Sequence, residues 1–234
     1  MAKGAYVGID GKARKIKKGY VGVAEVARKI KKAYIGIGGV ARPCWGGGLE
    51  YYGAITPLSY ARNSLAAAHV GNYAIFAGGV YVNGSGRLYY TYVDAYDASL
   101  TKTTPTSLNG GGYTLAATSV GNYALFGGGQ YSNTSGSTTT YSAYVNAYDA
   151  SLVRTLAPNL DNGRRWLAAA TANNCALFGG GYNDDTGSFF TKVDIYNASL
   201  TKETSQTLSM GRRQLAAAAV GTHALFAGGS LMRR

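Results

Sequence analysis

The stretch Ala224-Leu225-Phe226-Ala227-Gly228-Gly229, close to the end of the chain, is the last of four copies of one apolar phrase that ends in a glycine pair. The phenylalanines of the four copies are at positions 76, 126, 178 and 226, so the phrase recurs about every 50 residues. A short apolar run bounded by turn residues is typical of a buried β-strand. The repeat therefore predicts four similar units of β-structure after residue 45. The earlier copies are residues 74–79, 124–129 and 176–181.

The composition favours a folded chain built of β-structure. Of the 234 residues, 46% are hydrophobic and 15% are charged, a balance typical of globular proteins and not of disordered ones. The chain contains 34 glycines and 20 tyrosines but only four prolines. Because glycine supplies tight turns and tyrosine favours strands, we predict an all-β protein.

Each copy of the phrase is the second of four predicted strands. An inner strand rich in Leu-Ala-Ala precedes it, and a third strand and a threonine-rich outer strand follow it. The last copy stops before its third and fourth strands, whereas residues 49–53 and 54–59 echo those strands ahead of the first copy. We therefore expect the N-terminal segment to complete the unit that begins at the C-terminus, which removes open sheet edges. The predicted inner strands are 63–70, 113–120, 165–172 and 213–220, the third strands are 92–97, 144–149 and 192–197, and the outer strands end at Leu108, Leu160 and Leu208.

The repeats resemble those of the kelch family. The resemblance rests on the glycine pair, on the downstream Tyr96-Asp97 and Tyr148-Asp149, and on the spacing. It implies an all-β, kelch-like β-propeller, and the four copies with the split last unit predict about four blades with split-blade closure. The outer-strand tryptophan of kelch repeats is absent, and four blades are fewer than kelch propellers usually have. How the ring closes stays open: it could close within one chain, or it could be shared between chains.

Residues 1–45 have a shorter period of their own. Tyrosines recur every 14 residues at Tyr6, Tyr20 and Tyr34, each within an alternation of β-branched residues and glycine. Asp10-Gly11 and Gly38-Gly39 are typical hairpin-turn dipeptides. These features predict a β-hairpin repeat or β-spiral arm, with single helical turns in the Ala-Arg-Lys-Ile-Lys-Lys runs as the alternative. A proline and a glycine triplet then break the period, which divides the chain into an arm, 1–45, and a body, 46–234.

The arm carries most of the positive charge. Eleven of the 23 Lys/Arg residues and two of the 11 Asp/Glu residues lie within 1–45, so the arm accounts for +9 of the net charge of +12. Its repeats resemble N-terminal segments of phage and prophage virion structural proteins, which implies anchoring and oligomerisation. The basic runs could form a solvated face, dock an acidic protein or bind nucleic acid; we expect no nucleic-acid partner, because the runs lack interleaved aromatic residues. The candidate anchoring residues are Lys15, Lys17, Lys18, Lys29, Lys31 and Lys32.

The residues do not form a recognisable catalytic pattern. His69 and His223 fall at repeat positions that are otherwise strand residues. The glycine run 127–129 lacks the Gly-Lys-Ser/Thr continuation of a phosphate-binding loop, and residues 183–185 lack calcium-loop spacing. The two cysteines form neither a disulfide framework nor a metal cluster. We therefore predict that the protein is not an enzyme and takes no cofactor and no metal.

Polar residues that recur at one position of the repeat are of two kinds. Asp94, Asn146 and Asp194 recur in the third strand, and we interpret them as framework residues. Arginines recur where the chain enters the inner strands, at Arg62, Arg164 and Arg212, with Gly112 in the remaining copy. Arginine at that edge suits an anionic or sugar-rich surface, because a guanidinium forms bidentate contacts and stacks on rings.

The loops that follow the glycine pairs are the candidate binding surface. They span 80–90, 130–141 and 182–190, differ from copy to copy, and are rich in Tyr, Ser, Gly and Asn, as antibody contact loops are. The alternative is that they are ordinary polar, variable loops. The candidate ligand-binding residues are Arg62, Tyr81, Tyr89, Tyr90, Tyr131, Tyr141, Arg164, Arg165, Trp166, Tyr182, Arg212 and Arg213.

The two-part layout predicts a non-enzymatic virion appendage of phage or prophage type, such as a fibre, tail or capsid decoration. The arm would bind other virion proteins, the body would bind host cell-surface glycan or protein for attachment, and we expect a homo-oligomer. The chain opens without a secretory signal, and it lacks the apolar run of about 20 residues that spans a bilayer, so we expect synthesis in the host cytoplasm and no membrane insertion. The alternative is an intracellular kelch-like scaffold for protein–protein interaction.

Overall fold

A computed structural model describes the backbone of six short strands between residues 6 and 45, and residues 54–84, 86–132 and 139–231 with their side chains. The chain divides into two compact units, Met1–Ala54 and Ile55–Arg234. The described residues form antiparallel β-sheets and include no helix, which confirms the all-β prediction. Accordingly, none of these residues belongs to a helix that could cross a membrane.

The first unit contains three two-stranded hairpins. Two residues separate the paired strands of each hairpin in sequence; the predicted turn dipeptides Asp10-Gly11 and Gly38-Gly39 stand at two of these places and lie outside the described residues. Lys15 and Lys29 lie opposite Tyr6 and Tyr20 in extended strands, so the helical-turn alternative is wrong for the described part of the basic runs. The candidate anchors Lys17, Lys18, Lys31 and Lys32 lie outside the described residues. The hairpins pair β1 (Tyr6–Ile9) with β2 (Lys12–Lys15), β3 (Tyr20–Val23) with β4 (Val26–Lys29), and β5 (Ala33–Ile37) with β6 (Val40–Trp45).

The second unit begins with a four-stranded antiparallel sheet, sheet 1. The inner strand β7 (Ala66–Val70) pairs with β8 (Tyr73–Ala77), which contains the repeated phrase. After the glycine pair, β9 (Val80–Asn83) and β10 (Gly86–Tyr89) form a separate hairpin. The chain then returns as the third strand β11 (Val93–Tyr96) and the short outer strand β12 (Lys102–Thr103), giving the order β12-β11-β8-β7.

Sheets 2 and 3 repeat this arrangement, and sheet 4 contains its first half. The predicted inner, second and third strands are confirmed in sheets 1 to 3, whereas the outer strands are shorter than predicted. Sheet 2 contains β13 (Ala116–Val120), β14 (Tyr123–Gly127), β17 (Val145–Tyr148) and β18 (Arg154–Ala157), with the hairpin β15 (Gln130–Ser132) and β16 (Thr139–Tyr141). Sheet 3 contains β19 (Ala168–Ala172), β20 (Cys175–Gly179), β23 (Lys192–Asn197) and β24 (Gln206–Thr207), with the hairpin β21 (Tyr182–Asn183) and β22 (Ser188–Phe189). Sheet 4 pairs β26 (Ala216–Val220) with β27 (His223–Ala227), and β25 (Arg212–Arg213) pairs with β28 (Ser230–Leu231).

The hydrophobic core lies between successive sheets. Side chains alternate along the second strand, so its leucine or isoleucine faces the following sheet and its phenylalanine faces the preceding one. Ile75 of sheet 1 and Phe126 of sheet 2 are fully buried in one core, and Leu125 of sheet 2 and Phe178 of sheet 3 are fully buried in the next. Burying each such side chain contributes about 1.5–3 kcal/mol, so the repeated phrase stabilises contacts on both of its faces.

Among the described residues, the two end sheets each present a face without such a core. In sheet 4, Leu225 and Val220 are 55% and 63% exposed, whereas Ile75 and Val70 at the same positions of sheet 1 are 0% and 3% exposed. The predicted completing strand 49–53 lies outside the described residues. Residues 54–60 lie against sheet 1, where the Tyr96 hydroxyl donates a hydrogen bond to the Thr56 carbonyl.

Candidate functional site

Two of the predicted ligand-binding arginines are interior residues. Arg164 Nη2 lies 2.6 Å from Asp194 Oδ2, Arg62 Nη2 lies 2.7 Å from Asp94 Oδ2, and all four side chains are inaccessible to solvent. A buried charge requires a partner, and these pairs hold the chain that enters each sheet against the sheet's own third strand. The placement of Arg62 and Arg164 on a binding face must therefore be corrected. Burial opposes ionisation of Asp94, but hydrogen bonds from Ser59 and Arg62 outweigh burial and lower its pKa.

The second sheet replaces the ion pair with a neutral pair. Gly112 stands where sheets 1 and 3 have arginine, and Asn146 stands where they have aspartate. Asn146 Oδ1 accepts a hydrogen bond from the backbone N–H of Asn109 at 2.7 Å, as Asp194 Oδ1 does from Asp161 at 3.1 Å. The interpretation of these third-strand residues as framework is confirmed, because all three are buried and hold the incoming chain.

The arginines one position later, Arg165 and Arg213, lie beside the loop hairpins. The backbone of Arg165 pairs with Tyr182 at the start of β21, and that of Arg213 pairs with Ser230 at the start of β28. This bridge forms because the glycine pair turns the chain back towards the strand entry. Both guanidinium groups are brought in this way to the edge that carries the predicted contact loops.

Arg165, Trp166, Tyr182, Phe189 and Arg213 form one cluster, which we call the arginine–aromatic cluster. The Arg165 guanidinium carbon lies 3.7 Å from the Trp166 ring centre, and that of Arg213 lies 4.8 Å from it. Arg213 also lies 4.7 Å from the Tyr182 ring centre and 5.2 Å from that of Phe189. The Tyr182 ring stacks near Trp166 and contacts Phe189 at 4.7 Å. Arg213 thus lies over three half-buried rings, and Arg165 lies over one of them, the Trp166 ring.

A hydrogen-bonded network borders the cluster on one side. Arg165 Nη2 lies 2.6 Å from Asp184 Oδ2, and its Nη1 donates to Gln130 Oε1 at 2.5 Å. The Tyr141 hydroxyl donates to the same Asp184 oxygen at 2.5 Å. Burial and then this hydrogen bond raise the Tyr141 pKa above its ordinary value, so the phenol stays protonated as a donor. Asp184 is exposed, and its oxygens can accept further hydrogen bonds from outside the chain.

Arg213 differs from Arg165 in its partners. Within the described residues it has no carboxylate within ion-pair distance, and its polar contact is a hydrogen bond of 3.4 Å from Nε to Ser230 Oγ. The adjacent Arg212 donates instead to the Gly228 carbonyl at 2.8 Å. Among the described residues the cluster therefore carries one guanidinium with a carboxylate partner and one without, beside a flat apolar surface, and this chemistry suits an anionic group.

The unusual backbone of Trp166 belongs to the repeat and not to the cluster. Its φ of 57° lies in the left-handed region, as do those of Ser64, Thr114 and Gln214 at the same position of the other repeats. The N–H groups of Thr114, Trp166 and Gln214 donate to the carbonyls of Ser64, Thr114 and Trp166 in turn. This chain of bonds links neighbouring sheets and holds the indole at the start of the third inner strand.

A second group of aromatic residues lies in sheet 1. The Tyr60 and Tyr92 rings stack at 4.5 Å, and Tyr90 lies 5.3 Å from Tyr60. A hydrogen bond with Tyr60 is the main cause of the raised Tyr92 pKa. Tyr60, Tyr92 and Lys102 belong to the wall of a cleft of about 530 Å³. The cleft has a polar lining, and none of the described cations stacks on its rings, so it is a weaker candidate than the arginine–aromatic cluster.

The structure brings together five of the twelve predicted ligand-binding residues. Tyr141, Arg165, Trp166, Tyr182 and Arg213 meet at the cluster and its border. The others lie elsewhere: Tyr81 is exposed on β9, Tyr89 packs on Tyr113, Tyr90 joins the sheet 1 tyrosines, Tyr131 is half-buried on β15, and Arg62, Arg164 and Arg212 hold backbone or carboxylate partners.

Sequence reasoning missed three residues of the site. Phe189, Asp184 and Gln130 contribute a ring, a carboxylate and an amide. Phe189 and Asp184 are within the predicted contact loop 182–190, of which only Tyr182 was predicted as a ligand-binding residue. The sequence contained a signal for the ion pair, because Asp184 is the first acidic residue that follows Arg165 along the chain. We found no match among protein-family models and none among curated proteins.

Proposed function

We propose that the chain is a non-enzymatic virion appendage of phage or prophage type, which binds an anionic host-surface glycan through the arginine–aromatic cluster. The observation that supports this proposal most directly concerns the Arg213 guanidinium. It lies over three aromatic rings and has no carboxylate partner among the described residues. In this proposal the second unit is a kelch-like β-propeller, and the first unit anchors it to other virion proteins.

The chemistry of the cluster supports a sugar ligand with an acidic group. Aromatic faces pack against the apolar face of a sugar ring, and the carboxylate of Asp184 and the amide of Gln130 lie beside them to accept or donate hydrogen bonds. The unneutralised Arg213 would bind a carboxylate, sulfate or phosphate substituent in bidentate fashion. A neutral protein surface offers no comparable match to that cation.

The repeated sheets support the propeller. Inner strands of small residues lie side by side in chain order, β7 beside β13, β13 beside β19, and β19 beside β26. Each four-stranded sheet runs outward from its inner strand, as a propeller blade does. The loop hairpins after the glycine pairs then share one edge of the assembly, where differences between loops change ligand contacts without disturbing the framework.

The hairpins of the first unit support an anchoring role. A two-stranded ribbon is marginal alone in water, so three successive hairpins are expected to gain stability from a host assembly. The charge of +9 on residues 1–45 suits an acidic partner protein.

The experiment is binding of the full-length protein to an array of neutral, carboxylated, sulfated and phosphorylated glycans. We expect binding to acidic glycans and at least a tenfold loss with Arg213→Ala, because one bidentate charged contact contributes about 1.5–3 kcal/mol. Arg87→Ala is the matched control, since Arg87 is exposed on β10 away from the cluster and its loss removes the same charge. Equal binding by the Arg213→Ala and Arg87→Ala variants would refute the assignment to this cluster.

A further inference from the structure

Three successive sheet contacts in the second unit share one construction. Phe178 of sheet 3 lies against Gly127 of sheet 2, where a Cβ would come within 2.9 Å of the ring. Phe226 of sheet 4 lies against Gly179 of sheet 3 in the same way, at 2.7 Å. Between sheets 1 and 2, Ala77 and Phe126 occupy these two positions and are both fully buried.

Backbone hydrogen bonds repeat across the same contacts. The second glycine of each pair donates to the carbonyl of the residue that enters the next sheet, Gly79 to Gly112, Gly129 to Arg164 and Gly181 to Arg212. The first glycine of each pair packs on that entry carbonyl and on a leucine of the next sheet. These leucines are Leu115 against Gly78, Leu167 against Gly128 and Leu215 against Gly180.

The turns repeat as well. Ala150, which follows the third strand of sheet 2, packs on Gly71 in the first turn of sheet 1, where a Cβ would lie 3.2 Å away. Ala198 of sheet 3 packs on Gly121 of sheet 2 in the same relation. The leucines two positions later, Leu152 and Leu200, join the cores between these sheets.

Sheet 4 presents the first half of this construction without a partner among the described residues. A Cβ at Gly221 or Gly228 would meet nothing within 4 Å, although their equivalents in the earlier sheets are in close contact. Leu225 is 55% exposed, and Ala227 is exposed at the position where Ala77 faces Phe126. The surface is apolar and continuous with the contacts already made inside the chain.

Sheet 1 presents the other half. Ala74 is exposed, whereas its equivalents Ala124 and Ala176 are fully buried against the preceding sheet. Leu100 is 38% exposed, whereas Leu152 and Leu200 at its position pack into cores. Ala74 and Leu100 on the outer face of sheet 1 are thus exposed equivalents of residues that pack against the preceding sheet elsewhere in the chain.

We propose that the exposed face of sheet 4 docks on the exposed face of sheet 1 in a second copy of this chain, which makes the protein a head-to-tail dimer. The docking does not depend on what the loops bind. We favour a second copy over ring closure within one chain. If each sheet were rotated by 90° from the sheet before it, four sheets would complete a ring, and the two end faces would already be in contact. Both faces are exposed instead, so the four sheets of one chain do not bring these faces together.

Two copies would close the ring. They contribute eight sheets, which is the upper end of the usual four to eight blades of a propeller, and three copies would exceed it. A two-fold axis along the central axis of the ring makes both junctions between the copies identical. The assembly is therefore closed and does not grow into a filament. Leu225 of each copy would then face Ala74 of the other, as Leu125 and Ala176 share one core inside the chain.

The test is the mass of the full-length chain in solution, by sedimentation equilibrium at about 10 μM. We expect twice the chain mass of 24.4 kDa for the wild type and a single chain mass for Leu225→Asp. Leu156→Asp is the matched control and should remain dimeric, because Leu156 is 47% exposed on the outer strand of sheet 2, away from both end faces. Circular dichroism confirms that the variants are folded, which is expected since both leucines are exposed in the single chain.

A mixing experiment identifies the partner face. Ala74→Lys alone should also be monomeric, but an equimolar mixture of Ala74→Lys and Leu225→Asp should recover the dimer mass, because one junction is then native and the other pairs Lys with Asp. A monomeric wild type, including one closed on itself, overturns the proposal, as does a trimer or a filament. A dimer that survives Leu225→Asp also overturns it, because the first unit would then hold the copies together.

Discussion

Arg164 and Asp194 form an ion pair of 2.6 Å between side chains that are both inaccessible to solvent. The same place in sheet 2 holds Gly112 and Asn146, so the arginine and the carboxylate are absent together. This joint change has a physical reason, because either charge alone in that position would be buried without compensation. The chain thus offers its own comparison between a charged and a neutral solution to one structural problem.

Arg164→Gly should destabilise the second unit by about 3 kcal/mol, the lower end of the cost of breaking a buried ion pair. The lower end applies because Lys202 Nζ lies 2.7 Å from the other Asp194 oxygen and compensates part of the charge. The variant also loses the hydrogen bond from Arg164 to the Phe178 carbonyl. The measurement is the free energy of unfolding from urea titration followed by circular dichroism.

The double variant Arg164→Gly with Asp194→Asn is the matched control, since it reproduces the Gly112–Asn146 pair. We expect it to recover at least half of the lost stability, because asparagine keeps the hydrogen bond that Asp194 accepts from Asp161. A double variant that is less stable than Arg164→Gly would contradict this explanation of the paired change.

Because of Asp161, the free energy of unfolding of the second unit should fall as the pH becomes acidic. A hydrogen bond from Lys202 is the main cause that lowers its pKa to about 2, with Ser205 and Lys192 contributing. A pKa lower in the folded than in the unfolded chain stabilises the fold above the ordinary value of 3.8, and this stabilisation is lost as the pH falls towards 2. Because the side chain is about one-third exposed, we expect less than about 1 kcal/mol.

The measurement for Asp161 is the urea midpoint of the wild type and of Asp161→Asn at pH 7, 4 and 2. The wild type should be more stable at pH 7, and the difference should disappear by pH 2. Asp185→Asn is the control, because Asp185 is also exposed but has no ion pair among the described residues, so this variant should show no such convergence. A constant difference for Asp161→Asn across the series would rule out the carboxylate as its source.

Gly179→Ala should destabilise the contact between sheets 3 and 4. Its Cβ would lie 2.7 Å from Phe226 Cε1, so the ring or the backbone must move, and overpacking of this kind costs about 1–3 kcal/mol. Gly84→Ala is the control, because a Cβ there meets nothing within 4 Å. Thermal unfolding followed by circular dichroism should show a lower midpoint for Gly179→Ala alone, and equal midpoints for both variants would contradict the close packing.

The strands of the second unit could be predicted because their pattern is repeated. One apolar phrase with its glycine pair identifies the second strand of every sheet, and the neighbouring segments follow from it. The outer strands were predicted too long for a local reason. In sheet 1 the Asp97 carboxylate accepts the N–H groups of Ser99 and Thr101, and Pro105 has no N–H to donate, so β12 keeps two residues.

The roles of the arginines could not be predicted from position alone. Arg164 and Arg165 are neighbours, yet one is buried on Asp194 and the other stacks on Trp166. Alternation along an extended chain sends the two side chains to opposite sides, and the sequence does not say which side is the interior. The joint replacement by Gly112 and Asn146 was the available signal for the buried position, since it links the entry residue to the third strand.

The last prediction separates charge from geometry at the arginine–aromatic cluster. Arg213→Lys keeps the positive charge but loses the planar group that lies 4.7 Å from the Tyr182 ring centre and 4.8 Å from that of Trp166. An ammonium stacks less well and cannot form the bidentate contact, so we expect at least a fivefold loss of affinity for the acidic glycan that binds best on the array. Raising the salt from 0.15 to 0.5 M should weaken binding of the wild type, because screening shortens the range of the charge. Titration calorimetry measures both effects. Wild-type affinity in Arg213→Lys would mean that charge alone attracts the ligand, and the stacked guanidinium would then have no part in recognition.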